Sequence, residues 1–298
     1  MHPIQRTWSR TRINLIQRCP RAFVLRYGIA AYATKHPTGQ ILSDFFKIQT
    51  PWVLMQMGIR ETIRDYVEDY QIGMKWSKGL IQLKFSQVFR HLIRDRNSRI
   101  SNINEWKEQE SIFHKVKPEK HLEDIGAIRC IKLVQNESFI HLLDTSILRS
   151  ISPLKSTIVD GIKVYNSSDF FAENKENSIL VRINLFGFTS MNQIDQNAAL
   201  FSLGRENMAI LQYSWMNGRW HVHKRNVSRK ENKSIRRLIQ LDSKEMERVL
   251  KLVGTKNNLE QVPFADSPRT CMHCNVRFLC PAKNRLEEAK GEQMALMC

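Results

Sequence analysis

Three cysteines near the end of the chain have the spacing of metal ligands. Cys271, Cys274 and Cys280 fall within ten residues of sequence, and thiolates grouped in this way bind zinc or iron–sulfur clusters. Because four protein ligands complete most such sites, the sequence predicts one more cysteine. Cys19 is the candidate, since it precedes Pro20 at a predicted turn between two short helices.

Two metal centres are open for these four thiols. Structural zinc sites are often built from two CxxC pairs, whereas this chain has one CxxC, a cysteine followed by proline, and a distant cysteine. The pattern favours a [4Fe–4S] cluster, with zinc as the alternative and His273 as a competing zinc ligand. Cys130 lies in the apolar, strand-like run AIRCIKLV and is predicted to be in the core, and Cys298 ends the sequence.

The charge of the chain points to a polyanionic partner. Its 298 residues contain 46 Lys and Arg against 29 Asp and Glu, a formal net charge of +17, and such a surface attracts nucleic acid. No apolar run approaches the ~20 residues needed to span a bilayer, and the first residues lack the apolar segment of a signal peptide. We therefore expect a cytoplasmic protein with no membrane partner, in which cysteines serve metal binding rather than disulfides.

Helices and strands must hold these groups in place. Residues 50–115 show helical spacing of apolar residues and a basic face, and Asn217–Gly218 is a strong hairpin signal between two strands. The other predicted elements are a helix at 138–151, two strand-like runs within 157–188, a helix at 195–206 and a helix that starts at an Asp242 N-cap. This order predicts a mixed α/β sheet core.

The two cysteine-bearing segments carry a family resemblance. INLIQRCPRAFVLRY, around Cys19, and CMHCNVRFLCP, near the end, resemble the iron–sulfur branch of the RecB-type PD-(D/E)XK nuclease superfamily. That branch includes the AddB nuclease domain and the CRISPR-associated nucleases that trim spacers. The resemblance implies that Cys19, Cys271, Cys274 and Cys280 bind a [4Fe–4S] cluster that joins the N- and C-terminal segments.

The resemblance also implies a fold and a division of the chain. The fold is a restriction-endonuclease-like mixed β-sheet flanked by helices. The three segments are a helical N-terminal region at 1–125, a PD-(D/E)XK-like core at 126–255 and a cysteine-rich segment at 256–298.

The nuclease motifs of the superfamily are only partly present. Magnesium-dependent hydrolysis needs at least two carboxylates at the metal, and the resemblance assigns the first acid to Asp169. Arg182 and Asn184 stand where Asp-x-Lys is expected, Thr62 stands where a helical His is expected, and Gln196 keeps a downstream helix pattern. The resemblance therefore implies a degenerate site that does not bind Mg²⁺.

An alternative set of acids keeps catalysis open. Asp160 with Glu173 and Lys175 forms a literal D…ExK, although AENKENS is polar and turn-like rather than an apolar strand. No GxSxG, P-loop or GxGxxG sequence is present, so other catalytic classes have no motif to support them.

The favoured expectation is a catalytically degenerate RecB-like iron–sulfur protein. It would act as a DNA-binding or scaffold subunit of a nucleic-acid processing or defence complex, beside a helicase or nuclease partner. The residues expected to contact phosphates are Arg182, Lys224, Arg225, Arg229 and Lys230. For Tyr213, Trp215 and Trp220 core packing is favoured over base stacking. The alternatives are an active metal-dependent nuclease and a protein–protein adaptor without nucleic-acid contact.

Overall fold

The described part of the chain forms two compact units. A computed structural model describes residues 6–31, 37–101, 119–151, 156–165, 168–173, 178–185, 208–253, 259–267, 270–271, 274 and 280. The first unit draws its residues from 1–49, 96–115 and 241–298, and the second from 50–95 and 116–240. Helices and two β-sheets make the fold mixed α/β, as the sequence predicts.

The first unit contains short helices near the start of the chain. Its elements are β1 (Thr7–Trp8), α1 (Arg10–Arg18), α2 (Pro20–Val24), a π-helical turn (Leu25–Ile29) and α3 (Pro37–Lys47). The Ser9 hydroxyl accepts the amide of Arg12 and caps α1. Because Pro20 restricts the residue before it to an extended backbone, α1 ends at Arg18 and α2 begins after Cys19.

The second unit combines helices with most of the strands. Its helices are α4 (Pro51–Gln71), α6 (Glu119–Val134) and α7 (Glu137–Thr145), while α5 (Lys78–Ser101) and α8 (Arg229–Leu252) contribute residues to both units. Its strands are β2 (Ile147–Ser150), β3 (Ser156–Val159), β4 (Ile162–Tyr165), β5 (Phe170–Glu173), β6 (Ser178–Asn184), β7 (Met208–Met216) and β8 (Arg219–Asn226).

A five-stranded mixed sheet has the order β2-β5-β6-β7-β8. The pair β6–β7 is parallel, whereas β2–β5, β5–β6 and β7–β8 are antiparallel. Two tight turns join antiparallel neighbours, at Asp160–Gly161 between β3 and β4 and at Asn217–Gly218 between β7 and β8. All four residues have positive φ, from 49° to 76°, which matches the twist that a two-residue hairpin requires.

The core of the second unit lies between the helices and one face of the sheet. Ile179, Val181 and Ile183 of β6 join one buried cluster with apolar residues of α4, α5, α6 and α7. Because successive side chains of a strand alternate, Arg182 and Asn184 lie on the opposite face. A β6 side chain therefore contacts α4 only if it lies on the core face of the sheet.

A close contact joins three of the helices. The Phe85 ring of α5 is fully buried and stacks on Phe89 at 5.8 Å between ring centroids. A Cβ atom built on Gly126 of α6 would lie 2.0 Å from the Phe85 ring, and one on Gly58 of α4 would lie 3.2 Å from it. Both glycines thus make room for the ring, and side chains at these positions would collide with it.

Several predicted elements are confirmed. The helices on either side of Cys19, the helical character of the described residues 50–101 and the Asn217–Gly218 hairpin are present. The predicted helix at 195–206 lies outside the described residues. Among the residues described, no helix combines the length and apolar character needed to cross a bilayer.

Other predicted elements are wrong in detail. Cys130 is in the core, but its run forms helix α6 rather than a strand, since a short apolar run fits either element. Asp242 lies inside α8, where its carboxylate accepts the indole N–H of Trp8 at 2.9 Å, so it is not an N-cap. The segment 138–151 ends in strand β2, and 157–188 contains β3, β4, β5 and β6 rather than two strands.

Candidate functional site

Cys19 is held at the junction of two helices. Its amide donates to the carbonyl of Leu15 at 2.8 Å and ends α1, while its sulfur accepts the amide of Ala22 at 3.4 Å and caps α2. The thiol is half-buried. Its position is therefore set by backbone geometry on both sides, which is what a ligand on a rigid scaffold requires.

Arg21 links this junction to the C-terminal part of the first unit. The side chain is only 5 % exposed, its Nε donates to the carbonyl of Val262 at 2.7 Å and its Nη2 to that of Glu260 at 3.5 Å. Its Cζ lies 3.7 Å from the centre of the Phe264 ring. Within the described ranges, no carboxylate pairs with this buried guanidinium.

The same guanidinium donates a hydrogen bond to Cys280. Burial raises the pKa of the Cys280 thiol, the hydrogen bond and charge of Arg21 oppose that rise, and the neighbouring Cys19 thiol adds to it. Cys19 and Cys280, which stand at opposite ends of the sequence, thus lie near enough to influence each other electrostatically.

The other two predicted ligands occupy a turn. The amide of Cys274 donates to the carbonyl of Cys271 at 3.2 Å, and Cys271 is buried. His273 and Cys298 lie outside the described residues. In the part of the chain that the structure describes, no group of three or more His, Cys, Asp or Glu residues converges on a common point. The thiols form one neighbouring pair and one turn, and all four are soft donors that suit iron–sulfur clusters or zinc.

Cys130 differs from these four residues. It is fully buried in α6, and burial raises the pKa of its thiol well above the ordinary value. A thiol kept protonated in an apolar core is inert toward metals and oxidants.

The carboxylate of Asp169 belongs to a different site, at the start of β5. One oxygen accepts Nε of Arg60 from α4 at 2.9 Å, and the other accepts the amide of Ile183 from β6 at 2.6 Å. Arg60 also donates from Nη2 to the carbonyl of Ile183 at 3.1 Å. Arg60 therefore joins the helix to both strands, and both oxygens of Asp169 already have donors.

Burial dominates the electrostatics of this carboxylate. The side chain of Asp169 is 11 % exposed, against 36 % for that of Arg60. Burial raises the Asp169 pKa, while the charges of Arg60 and Arg182 and the Ile183 amide act in the opposite direction. The charged side chains that influence Asp169 are thus cationic.

The neighbouring positions offer no second acid. Ile183 and Leu185 lie on the core side of the sheet, where α4 packs, and both are apolar. Thr62, where a His is expected, is fully buried, and its hydroxyl makes no hydrogen bond to the described residues. Gln196 lies outside those residues. Among the described residues, a divalent cation at Asp169 would meet one carboxylate and a competing guanidinium.

Arg182 and Asn184 extend across the opposite face of the sheet. They pair in register with Gln212 and Ser214 of β7, and the Gln212 amide donates to the Ser214 hydroxyl at 2.9 Å. Both β7 side chains are almost fully buried. The sequence motif did not reveal this alternation, nor did it identify Arg60, whose signal was a single cation, next to Glu61, in the helical run MGIRETI.

No family model matches the chain, and a search of curated proteins returns no match.

The alternative acids have separate partners. Asp160, at the β3–β4 turn, accepts hydrogen bonds from Arg236 at 3.4 Å and Gln240 at 3.1 Å, both on α8. Glu173, at the end of β5, lies 3.8 Å from Arg149 of β2. Lys175 lies outside the described residues.

The predicted phosphate contacts are not equivalent. Lys224, Arg229 and Lys230 are exposed, whereas Arg225 forms an ion pair with Glu231. Arg182 is half-buried within the sheet.

The aromatic side chains of β7 and β8 are packed, as favoured from the sequence. Tyr213 and Trp220 are buried, and Trp215 contacts Trp220 edge-on at 5.3 Å between ring centroids. Trp215 also lies 5.2 Å from the guanidinium of Arg129. These contacts occupy the ring faces that base stacking would need.

Proposed function

We propose that this chain is a catalytically degenerate RecB-like protein with a PD-(D/E)XK-type core and a [4Fe–4S] centre. It acts as a DNA-binding or scaffold subunit of a nucleic-acid processing or defence complex. One observation carries the loss of catalysis: the acid assigned to the nuclease motif, Asp169, is paired with Arg60 and a backbone amide.

The chemistry of phosphodiester hydrolysis explains why that pairing matters. Magnesium must be held by carboxylate oxygens so that it can neutralise the phosphate and orient the attacking water. Here one carboxylate has its oxygens engaged, and the adjacent core-facing positions are Ile183 and Leu185. A fixed guanidinium beside Asp169 repels a divalent cation and supplies the positive charge in its place.

Cys19, Cys271, Cys274 and Cys280 would hold the cluster. When bound, it supplies a crosslink between segments about 250 residues apart in sequence, and by analogy with a disulfide such a link removes about 4–5 kcal/mol of unfolded-state freedom. The fit rests on the electrostatic influence of Cys19 on Cys280 and on Arg21, whose buried positive charge favours thiolates beside it. Zinc bound by the same thiols is the alternative.

Nucleic-acid binding is supported by charge. With a formal net charge of +17, phosphate contacts should give weak sequence selectivity and a steep loss of affinity with salt. A helicase or nuclease subunit would provide the catalysis that this chain lacks.

Incubation with DNA and divalent metal tests the loss of catalysis. Purified protein is mixed with single- and double-stranded DNA in Mg²⁺ or Mn²⁺, and no cleavage above a no-protein blank is expected. Metal-dependent cleavage that disappears in Asp169→Ala would establish an active nuclease. Cleavage lost in Glu173→Gln but kept in Asp169→Ala would favour the alternative set of acids.

An anaerobic absorption spectrum with iron, sulfide and zinc analysis tests the centre. A brown protein with about four iron and four sulfide per chain is expected. One zinc and no iron would support the zinc alternative, and a folded protein with neither metal would overturn the centre.

Exposed apolar side chains give the adaptor alternative some support. Ile72 is 74 % exposed, and Met74, Leu80 and Leu83 are also exposed near the connection between α4 and α5. Such side chains are common where another protein docks. Filter binding with DNA and RNA at two salt concentrations separates the cases, since an adaptor would bind neither at low salt.

A further inference from the structure

The start of α8 uses its acidic side chain internally. Ser228 caps the helix, because its hydroxyl accepts the amide of Glu231 while the Glu231 carboxylate accepts the amide of Ser228 at 2.8 Å. The same carboxylate forms an ion pair with Arg225 of β8. Glu231 is the only acid between residues 229 and 241, so no carboxylate of this stretch remains for the cations on its outer face.

Those cations form a stripe, which we define as Lys230, Lys233 and Arg237. They are exposed, and their spacing of three and four residues places them on one face of the helix. Ile235 and Ile239 are buried on another face. Within the described ranges, no ion pair involves the three side chains of the stripe.

The far half of α8 is built differently. Arg248 forms an ion pair with Glu245 at 2.7 Å, and Lys251 forms one with Glu247 at 3.1 Å. Cations and acids alternate there, as on an ordinary solvated helix surface. The stripe is therefore a local feature of the first turns rather than a general property of the helix.

We propose that this stripe contacts the phosphate backbone of a nucleic acid, an inference that rests on the proposed nucleic-acid binding. The stripe spans seven residues of helix, about 10 Å. Three successive phosphates of one strand span about 7 Å of the B-form axis, at about 3.4 Å per step, and long Lys and Arg side chains can bridge the difference. Three cations can thus meet three successive phosphates of one strand. Contacts of this kind position the polymer and read no sequence.

The surroundings of the stripe favour nucleic acid over a lipid surface. A helix that binds a membrane needs several large apolar side chains next to its cations, whereas the exposed neighbours of the stripe on α8 are polar Ser234 and Gln240 and one leucine, Leu241. The neighbouring Arg236 is held by Asp160 of the β3–β4 turn. This contact fixes the helix, so the stripe is presented without a further ordering cost.

A charge-matched pair of variants tests the inference. The first variant carries Lys230→Gln, Lys233→Gln and Arg237→Gln. The control carries Lys47→Gln, Arg248→Gln and Lys251→Gln, which remove the same charge from side chains already paired with acids. Binding of a 20-base-pair duplex is measured between 50 and 300 mM salt, and thermal melting confirms that both variants are folded.

The stripe variant should lose about tenfold or more in affinity at 100 mM salt. The slope of log K against log salt should decrease in magnitude by about 2–3, because each phosphate contact contributes about 0.9. The control should keep most of the wild-type slope.

Three results would count against the inference in distinguishable ways. Equal losses in both variants would mean that net charge alone drives binding, and would overturn the stripe. Displacement of DNA by polyglutamate of equal charge would point to an acidic protein as the partner instead. A wild-type chain that binds no nucleic acid at 50 mM salt would overturn the proposed function itself.

Discussion

Two arginines, one half-buried and one buried, have opposite surroundings. Arg60 in the second unit meets the carboxylate of Asp169, so its charge is balanced within the protein. Arg21 in the first unit meets two carbonyls, the Phe264 ring and the Cys280 thiol, none of which carries a negative charge while that thiol is protonated.

The site of Arg60 already contains its counter-charge, whereas the surroundings of Arg21 still favour an anion. A guanidinium paired with a carboxylate has its charge satisfied and excludes further cations. A buried guanidinium beside thiols favours their thiolate form, and four thiolates around iron or zinc carry the negative charge that would balance it. In the proposed function, Arg60 would therefore oppose a metal at Asp169, while Arg21 would favour one at the cysteines.

The largest expected effect comes from removing a thiol. Cys19→Ser should abolish iron and sulfide binding and lower the free energy of unfolding by about 4–5 kcal/mol, because the link between distant segments is lost. Metal analysis and urea denaturation measure both effects. Cys130→Ala is the control, since this cysteine is enclosed in α6, and it should keep its metal even if packing suffers. Full metal content in Cys19→Ser would mean that Cys19 is not a ligand, and the proposed contrast between the two arginine sites would fail.

The next largest effect is expected from exposing the charge of Arg60. Asp169→Ala should lower the free energy of unfolding by about 3 kcal/mol, because a partly buried guanidinium loses its counter-charge. Arg60→Met combined with Asp169→Leu should recover much of this loss, since an apolar pair fills the same space. Urea titrations of wild type, Arg60→Met, Asp169→Leu and the double variant give the coupling energy. Additive losses would mean that the ion pair does not act as a unit.

Arg21 should show a smaller effect, felt at the cysteine centre. Arg21→Gln should lower the free energy of unfolding by about 2 kcal/mol, through the loss of a charged hydrogen bond and a cation–π contact. The variant should also lose metal faster to a chelator. Arg18→Gln, at an exposed position on α1, removes the same charge and should change neither property. Equal chelation rates in both variants would show that Arg21 has only a packing role.

The smallest effect concerns pH. Burial raises the Asp169 pKa, so the folded chain holds this proton at pH values where the unfolded chain, near the ordinary 3.8, has released it. Protonated Asp169 therefore contributes its full stabilisation at pH values below its unfolded pKa. This contribution to the free energy of unfolding is lost as pH rises through its folded pKa. The free energy of unfolding of wild type minus that of Asp169→Asn should therefore decrease between pH 3.5 and 7, by about 1.4 kcal/mol per unit of pKa difference. An increasing difference would mean that Arg60 outweighs burial.

The sequence was sufficient to predict those features that depend only on neighbouring residues. Pro20 fixes the boundary between α1 and α2, and Asn217–Gly218 fixes the hairpin because few residue pairs accept positive φ. The mixed α/β class follows from the alternation of helical and strand-like runs. The shared role of Cys19 and the C-terminal cysteines stays a prediction from residue type and resemblance.

Non-local partners explain most of what the sequence did not reveal. Asp242 has the residue type of an N-cap, but its partner is Trp8, 234 residues away in sequence. Nothing in the sequence around Arg60 indicates a special role, because that role depends on its contact with Asp169 in the folded chain. The face occupied by each β6 residue depends on pairing with β5 and β7, and a short motif does not determine that phase.

The missing side chain at Gly126 has a consequence for a distant charge. Only a hydrogen atom at this position lets the Phe85 ring lie against α6, because a Cβ atom there would be 2.0 Å from the ring. A methyl group at residue 126 would force the ring or a neighbouring helix to shift, and the ring also lies against Gly58 of α4, the helix that carries Arg60. Displacement of α4 would lengthen and weaken the ion pair between Arg60 and Asp169.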